Sequence, residues 1–312
     1  MTMFYVVYAG ILGLLIGSFL NVVAIREPKR MFYAWKEQAL DFLQEHHPEF
    51  LKENGTESIV NNDNSGGLVL DNQDNQDNKN KNNDAPPGVV KKSSHCVHCK
   101  TPLRWYHNLP VLSYLMLGGK CAFCKKPISL QYPAVELLMG ILAASSVAVY
   151  GWSITGLAVA VFCAILLVLA VIDIKTLFLP DHIVLPSLWA ALLWSAAAPY
   201  FGALAPTPTQ AILGAGIGYL SLWSVFWAFK ILTGKEGMGY GDFKLLALIG
   251  AFLGPSAILG TVLCSAVAGT VVGIILLSKK GESQPFPFGP YLAMGGILYA
   301  LLSPLLPWMQ IP

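Results

Sequence analysis

Two aspartates at the edges of apolar segments are the residues of this chain best suited to chemistry. Asp242 closes Met238-Gly239-Tyr240-Gly241-Asp242 where one hydrophobic segment begins, and Asp173 lies in Val171-Ile172-Asp173-Ile174-Lys175 where another ends. An acid at a helix centre in a membrane costs roughly 2.5–3.5 kcal/mol on insertion scales, so a retained one marks function. Two such acids on separate spans point to a pair meeting inside a bundle, the arrangement that acid/base hydrolysis at a buried site requires. Gly239 and Gly241 ahead of Asp242 leave room for an extended peptide beside the acid. The competing reading is structural, an ion pair of Asp173 with Lys175 or of Asp242 with Lys244.

The remaining acids outside the long polar segment are Glu136, Asp181, Glu236 and Glu282. Glu236 and Glu282 stand near Lys235 and Lys280 and read as solvated loop charges. Asp181 follows Leu179-Pro180 and suits an N-cap on the next span better than catalysis. Glu136, one turn into a span, is either a substrate contact or a buried tie to another helix, with Asn21 as the natural partner.

These residues must be positioned by membrane helices. The chain has 312 residues, of which 54% are hydrophobic and 12% charged, and its mean hydropathy is +0.55, too apolar for a soluble domain of this length. Apolar segments start near Phe4, Tyr132, Ile154, Asp181, Gln210, Phe243, Ser256 and Pro290, which gives about eight spans of an all-α polytopic protein. With eight spans all 20 Lys and Arg fall on one side of the bilayer, and the opposite connections near residues 150–153, 200–209 and 254–255 carry none. Basic residues are retained in the cytoplasm, so both termini are expected outside and both aspartates at the cytoplasmic face. No basic residue precedes Met3–Val23, which reads as a retained span rather than a cleavable signal. The net charge is +2, and the segment 27–126 carries 12 of the 18 acids with 13 of the bases, so no nucleic-acid partner is expected.

Residues 26–130 form a large cytoplasmic loop in three parts. Phe32, Trp35, Leu40 and Leu43 recur at helical spacing in Arg30–Glu53, as for a short amphipathic helix on the membrane, on the bundle or on its own loop. Residues 55–87 are an Asn/Asp-rich insertion, expected to be disordered because it has too little apolar surface to offset ordering entropy. Residues 93–127 hold Cys96-Val97-His98-Cys99 and Cys121-Ala122-Phe123-Cys124. Two CxxC knuckles at this spacing match a four-thiolate zinc site, with Cys96, Cys99, Cys121 and Cys124 as ligands and His95 and His98 as bystanders. A redox pair or mononuclear iron is the alternative, whereas disulfides are disfavoured in the cytosol. Cys163 and Cys264 lie within spans and read as small core residues.

With these residues in place, the chain resembles the type IV prepilin peptidases, bifunctional leader peptidase/N-methyltransferases of bacterial pilus and type II secretion systems. The resemblance runs through Gly17-Ser18-Phe19-Leu20-Asn21-Val22-Val23, the paired CxxC loop and Gln131-Tyr132-Pro133-Ala134-Val135-Glu136-Leu137-Leu138. It continues through Asp173 near Leu179-Pro180-Asp181, Gly237-Met238-Gly239-Tyr240-Gly241-Asp242-Phe243-Lys244 and Pro287-Phe288-Gly289-Pro290. It implies Asp173 and Asp242 as catalytic aspartates and the four cysteines as a cytoplasmic metal-type motif. On the reading of the residues themselves, Gly239, Gly241, Lys244, Glu136 and Asn21 are the supporting candidates, in a membrane-embedded peptidase core over 131–312 after a first span over 1–25. The resemblance implies prepilin or pseudopilin precursors as substrates in the inner membrane and methylation of the new N-terminus from S-adenosylmethionine. The insertion at 55–87 departs from the shorter loop usual in the family. For the methyl donor no glycine-rich loop stands out; Gly119 and Lys120 are the nearest candidates, and a turn that places Cys121 explains them equally well. A peptidase-only GxGD protease and an ion or metal transporter are the other readings, and acids gathered at one face, rather than at mid-membrane, speak against transport.

Overall fold

A computed structural model describes residues 2–46, 95–96, 98–99, 101–235, 237–280 and 287–305. The insertion at 55–87, Glu236 and Glu282 lie outside these residues. The described elements are helical: α1 (Thr2–His46), α2 (Leu112–Met116), α3 (Gln131–Tyr150), α4 (Ile154–Thr176), α5 (Asp181–Ala197), α6 (Pro208–Thr233), α7 (Tyr240–Leu253), α8 (Ser256–Lys280) and α9 (Gly289–Leu302). The chain divides into two units, Ile25–Lys92 and the remainder.

All eight expected membrane segments are helices, but six are long and apolar enough to span. α7 and α9 have 14 residues each. At 1.5 Å per residue that is about 21 Å, short of a hydrocarbon core of about 30 Å. The first helix also differs from expectation, since it does not stop near residue 25 but runs to His46 with Pro28 inside it. The polarity changes there, yet Ala34, Glu37, Gln38, Ala39 and Leu40 are strong helix formers, and backbone propensity follows residue type rather than solvent.

Helix ends are fixed locally. Ser153 caps α4 by accepting from Gly156 N–H at 3.1 Å, and Leu177 stops it in a left-handed conformation, its N–H bonded to Asp173 O. α6 opens with a Thr207–Gln210 capping box and Pro208 in its first turn, and stops at left-handed Gly234. Short connections at 151–153 and 254–255 make α3 and α4, and α7 and α8, antiparallel pairs. α1 also runs antiparallel to α3: Gly13 lies on Met139 and Gly140, Gly17 on Glu136, and Asn21 on Tyr132.

α7 is the centre. Phe243, Leu245, Leu246, Leu248, Ile249 and Ala251 are essentially inaccessible, as befits a helix apolar all round. α5, α6, α8 and α9 pack around it, and Phe162 of α4 stacks on Phe252 with ring centroids 4.2 Å apart. The outer faces of the bundle are equally apolar, with Leu157 and Val161 on α4, Ile212 and Leu220 on α6, and Leu263 and Val267 on α8 exposed. An apolar interior inside an apolar exterior is the pattern of a membrane protein. Cys163 is buried as expected, but Cys264 faces outward and is not a core residue.

Among the described glycines, Gly214 of α6 and Gly250 of α7 lie nearest to an opposing backbone. A Cβ at Gly250 would overlap the carbonyl oxygen of Gly214, and one at Gly214 would overlap that of Gly250. Small residues of this kind let membrane helices pack where apolar burial alone gives no preference over lipid. Gly250→Ala is therefore expected to lower stability by about 1–3 kcal/mol through overpacking. Gly216, whose Cβ position is open, is the control. Thermal unfolding in one detergent compares Gly250→Ala with Gly216→Ala, and equal midpoints would contradict this account of the packing.

Candidate active site

Asp173 lies in the last turn of α4 and Asp242 in the first turn of α7, only 4% and 7% exposed. Their carboxyl groups act on each other electrostatically. Packing links them as well. Asp173 Oδ2 accepts from the N–H of Gly289, the first residue of α9, at 3.0 Å. Buried Leu179, in the turn after α4, lies against both Gly289 and Gly241, the residue before Asp242. The two glycines ahead of Asp242 therefore differ. A Cβ at Gly241 would sit 2.9 Å from Leu179 Cβ, so Gly241 is small for internal packing. A Cβ at Gly239, the N-cap of α7, would meet only open space. Of the two, only Gly239 is open at this position.

Lys244, two residues after Asp242, pairs elsewhere. Lys244 Nζ reaches both carboxylate oxygens of Asp181, each at 2.7 Å, and so ties the start of α7 to the start of α5. Pro180 occupies the N-cap of α5, and Asp181, expected there, is the first helical residue instead. Proline fixes the extended backbone a cap needs, which leaves the carboxylate free for Lys244. The pair is partly exposed and worth at most about 1 kcal/mol.

The same end of the bundle carries the start of α3. Tyr150 OH, at the other end of α3, donates to Ala300 O near the end of α9, so α3 and α9 run in parallel from the Asp173 end. Glu136 and Asn21 lie there but do not bond each other as expected. Asn21 Nδ2 donates to Tyr132 O at 3.0 Å, pinning α1 to α3. Glu136 Oε2 accepts from Val111 N–H at 2.8 Å, and Ser18 also bonds this carboxylate. The geometric reason is the antiparallel register, which sets Gly17 and Ser18, not Asn21, opposite Glu136. Val111 is a β-branched residue at φ 57°, and Glu136 holds the amide of this uncommon conformation ahead of α2.

The four cysteines come together. Sγ atoms of Cys96, Cys99, Cys121 and Cys124 all lie within 4.8 Å of one another, and Cys96 and Cys124 are 3.8 Å apart. A tetrahedron with metal–sulfur bonds of about 2.3 Å has edges of about 3.8 Å, so the donor set fits zinc. Each knuckle is built alike. Cys96 N–H bonds Thr101 O and Cys121 N–H bonds Lys126 O, with bridges His95–Pro102 and Lys120–Pro127 closing the two turns. Hydrogen bonds from the Thr101 side chain and backbone lower the Cys99 thiol to about 6. Cys124 is pushed up to about 11: its bond with the Lys126 backbone lowers it, but burial and the other three sulfurs outweigh that. The four sulfurs together form a donor set that could hold a metal ion. Gly118 and Gly119 have positive φ, and Gly119 carries the Ile128 N–H bond at 2.8 Å, so Gly119 and Lys120 belong to the knuckle turn. This favours the turn over a methyl-donor site.

Sequence reasoning gave no role to Leu179 or Gly289. The signal available was a glycine–proline step opening an apolar segment, which places a free amide and a bare α-carbon at a helix start.

Fold and site together define a polytopic helical protein with a buried carboxyl pair and a four-cysteine cluster. The model of the bacterial peptidase A24 N-terminal domain matches residues 11–150, and that of the type IV leader peptidase family matches residues 160–274. A protein of Xanthomonas campestris pv. campestris named prepilin leader peptidase/N-methyltransferase is 42% identical, over 91% of this chain and 87% of the relative. Relatives of the same name from Pseudomonas putida and Stutzerimonas stutzeri are each 40% identical, over 96% and 94% of this chain and 91% and 89% of theirs. No solved structure matches. The chain belongs to the type IV leader peptidase family.

Proposed function

We infer that this chain removes the basic leader from prepilin-like or pseudopilin precursors and then methylates the new N-terminal residue, at the cytoplasmic face of the bacterial inner membrane. One observation carries the peptidase reading: Asp173 and Asp242, from separate helices, are buried within electrostatic reach at one end of the bundle, beside the open space at Gly239. Two interacting carboxyls readily share one proton. The ionised member takes a proton from water, and the protonated member gives one to the scissile carbonyl as that water attacks. Gly239 leaves space for the extended segment ahead of the substrate's hydrophobic helix. Lys175, Lys230 and Lys244 gather at the aspartate end of their helices, which supports a cytoplasmic site.

Cys96, Cys99, Cys121 and Cys124 hold zinc, which cross-links the two knuckles. S-adenosylmethionine supplies the methyl group to the amine that cleavage exposes. Residues 55–87 act as a tether, and loop closure over such lengths changes by only about 0.6 kcal/mol per doubling.

Purified protein incubated with a prepilin-like peptide, with and without S-adenosylmethionine, tests both steps by mass spectrometry. The expected products are a leader cut in both cases and one added methyl on the mature fragment only with the donor. Cutting without methylation would leave a peptidase alone. An uncut peptide with correctly folded protein would remove the peptidase reading.

A further inference from the structure

Gly289, within Pro287-Phe288-Gly289-Pro290, stands directly against Asp173, yet cleavage as described above gives it no task. The Gly289 N–H donates to Asp173 Oδ2 through a buried bond of 3.0 Å. The sequence leaves this amide available. Gly289 is the first residue of α9, where an N–H has no partner one turn back. Pro290 has no N–H, and those of Tyr291 and Leu292 turn back to Phe288 O, at 3.1 and 3.3 Å. The sequence also leaves the space clear. A Cβ at 289 would lie 2.7 Å from Asp173 Oδ2, 3.2 Å from its Cγ and 3.4 Å from Leu179 Cδ1. Leu179 cannot give way easily, because it is buried and already abuts Gly241. An added methyl would therefore displace the carboxylate itself.

We propose that Gly289 is a positioning residue of the aspartate pair: its N–H fixes one oxygen of Asp173 and leaves the other for the reaction, and its bare α-carbon keeps that carboxylate within reach of Asp242. Gly289 acts through Asp173 and need not touch the substrate. The inference rests on the catalytic reading of the two aspartates given above.

The test sets Gly289→Ala beside Gly295→Ala. Gly295 is on the same helix, and its Cβ would meet Thr261 O of α8 at 2.7 Å, with neither aspartate near it. Misplacing a reacting group by about 1 Å costs on the order of 100-fold, so Gly289→Ala should lose about that much in kcat of cleavage. Its KM for the precursor peptide, its unfolding temperature and its methylation of an already cleaved peptide should stay close to the parent. Gly295→Ala should lower the unfolding temperature and both activities together. An amide-to-ester replacement at Gly289 removes the donor without adding a side chain and should lower kcat about tenfold, which keeps the question open to measurement if the alanine variant does not fold. Parental kcat in the ester variant, or loss of cleavage only in step with methylation and unfolding temperature, would overturn the proposal. Asp173→Asn in the same assay separates the two levels. If it still cleaves, the aspartate reading has failed; if it is silent while the Gly289 variants cleave normally, only the positioning role falls.

Discussion

Asp173→Asn and Asp242→Asn are each expected to lower kcat of leader cleavage by about 10⁴-fold, while zinc content and methylation of an already cleaved peptide stay near the parent. General acid and base steps contribute about 10²–10⁴-fold apiece, and the members of a unit that shares one proton fail together. The double variant should therefore be no worse than either single one. Asn keeps the shape of Asp, and Asn at 173 still offers Gly289 N–H an oxygen, so the fold should survive. Removing a buried charge from a membrane helix also costs nothing in insertion. Single-turnover cleavage with detergent-purified protein measures the effect. Near-normal cutting by a folded single variant would take that residue out of the chemistry.

The ion pairs show how far local sequence carries such a reading. Lys244 and Asp242, like Lys175 and Asp173, stand two apart, and residues at that spacing on a helix do not face each other. That spacing argues against an ion pair of either aspartate with the lysine beside it. The true partner of Lys244, Asp181, is 63 residues away and becomes a neighbour only through packing of α5 on α7. The Glu136 bond to Val111 was hidden for a similar reason, because its partner is a backbone amide in a loop with no periodicity. The register of α1 on α3, by contrast, could have been read from Gly13, Gly17 and Asn21 against Tyr132, Glu136 and Gly140, since small residues mark close helix contacts.

α7 is short and almost wholly apolar beyond Lys244. Both properties follow from its place. A helix covered on every side needs neither the length of a span nor an amphipathic stripe. The cysteine loop offered a clearer signal than spacing alone: Cys-x-x-Cys-Lys-x-Pro occurs twice, at 96–102 and 121–127, and the two copies form the same hydrogen-bonded turn.

That repeat makes the metal the second large effect. Freshly prepared, reduced protein should carry about one zinc per chain, and Cys96→Ser with Cys99→Ser should bring it near zero, because two remaining thiolates cannot close a tetrahedral structural site. The contact of Cys96 with Cys124 means that the knuckles interlock, so losing one pair should loosen the other knuckle as well. Binding should also be proton-linked. Cys99, at about 6, is ready as a thiolate at neutral pH, whereas Cys124, at about 11, must give up its proton as the ion enters, so zinc affinity should rise with pH between these values. Methylation and loop stability should suffer more than the peptide cut, since both aspartates belong to α4 and α7. Cys163→Ala and Cys264→Ala are the controls and should keep the metal. Elemental analysis decides the matter, and metal-free parent protein, or a double variant that retains full zinc, would exclude the four-thiolate site.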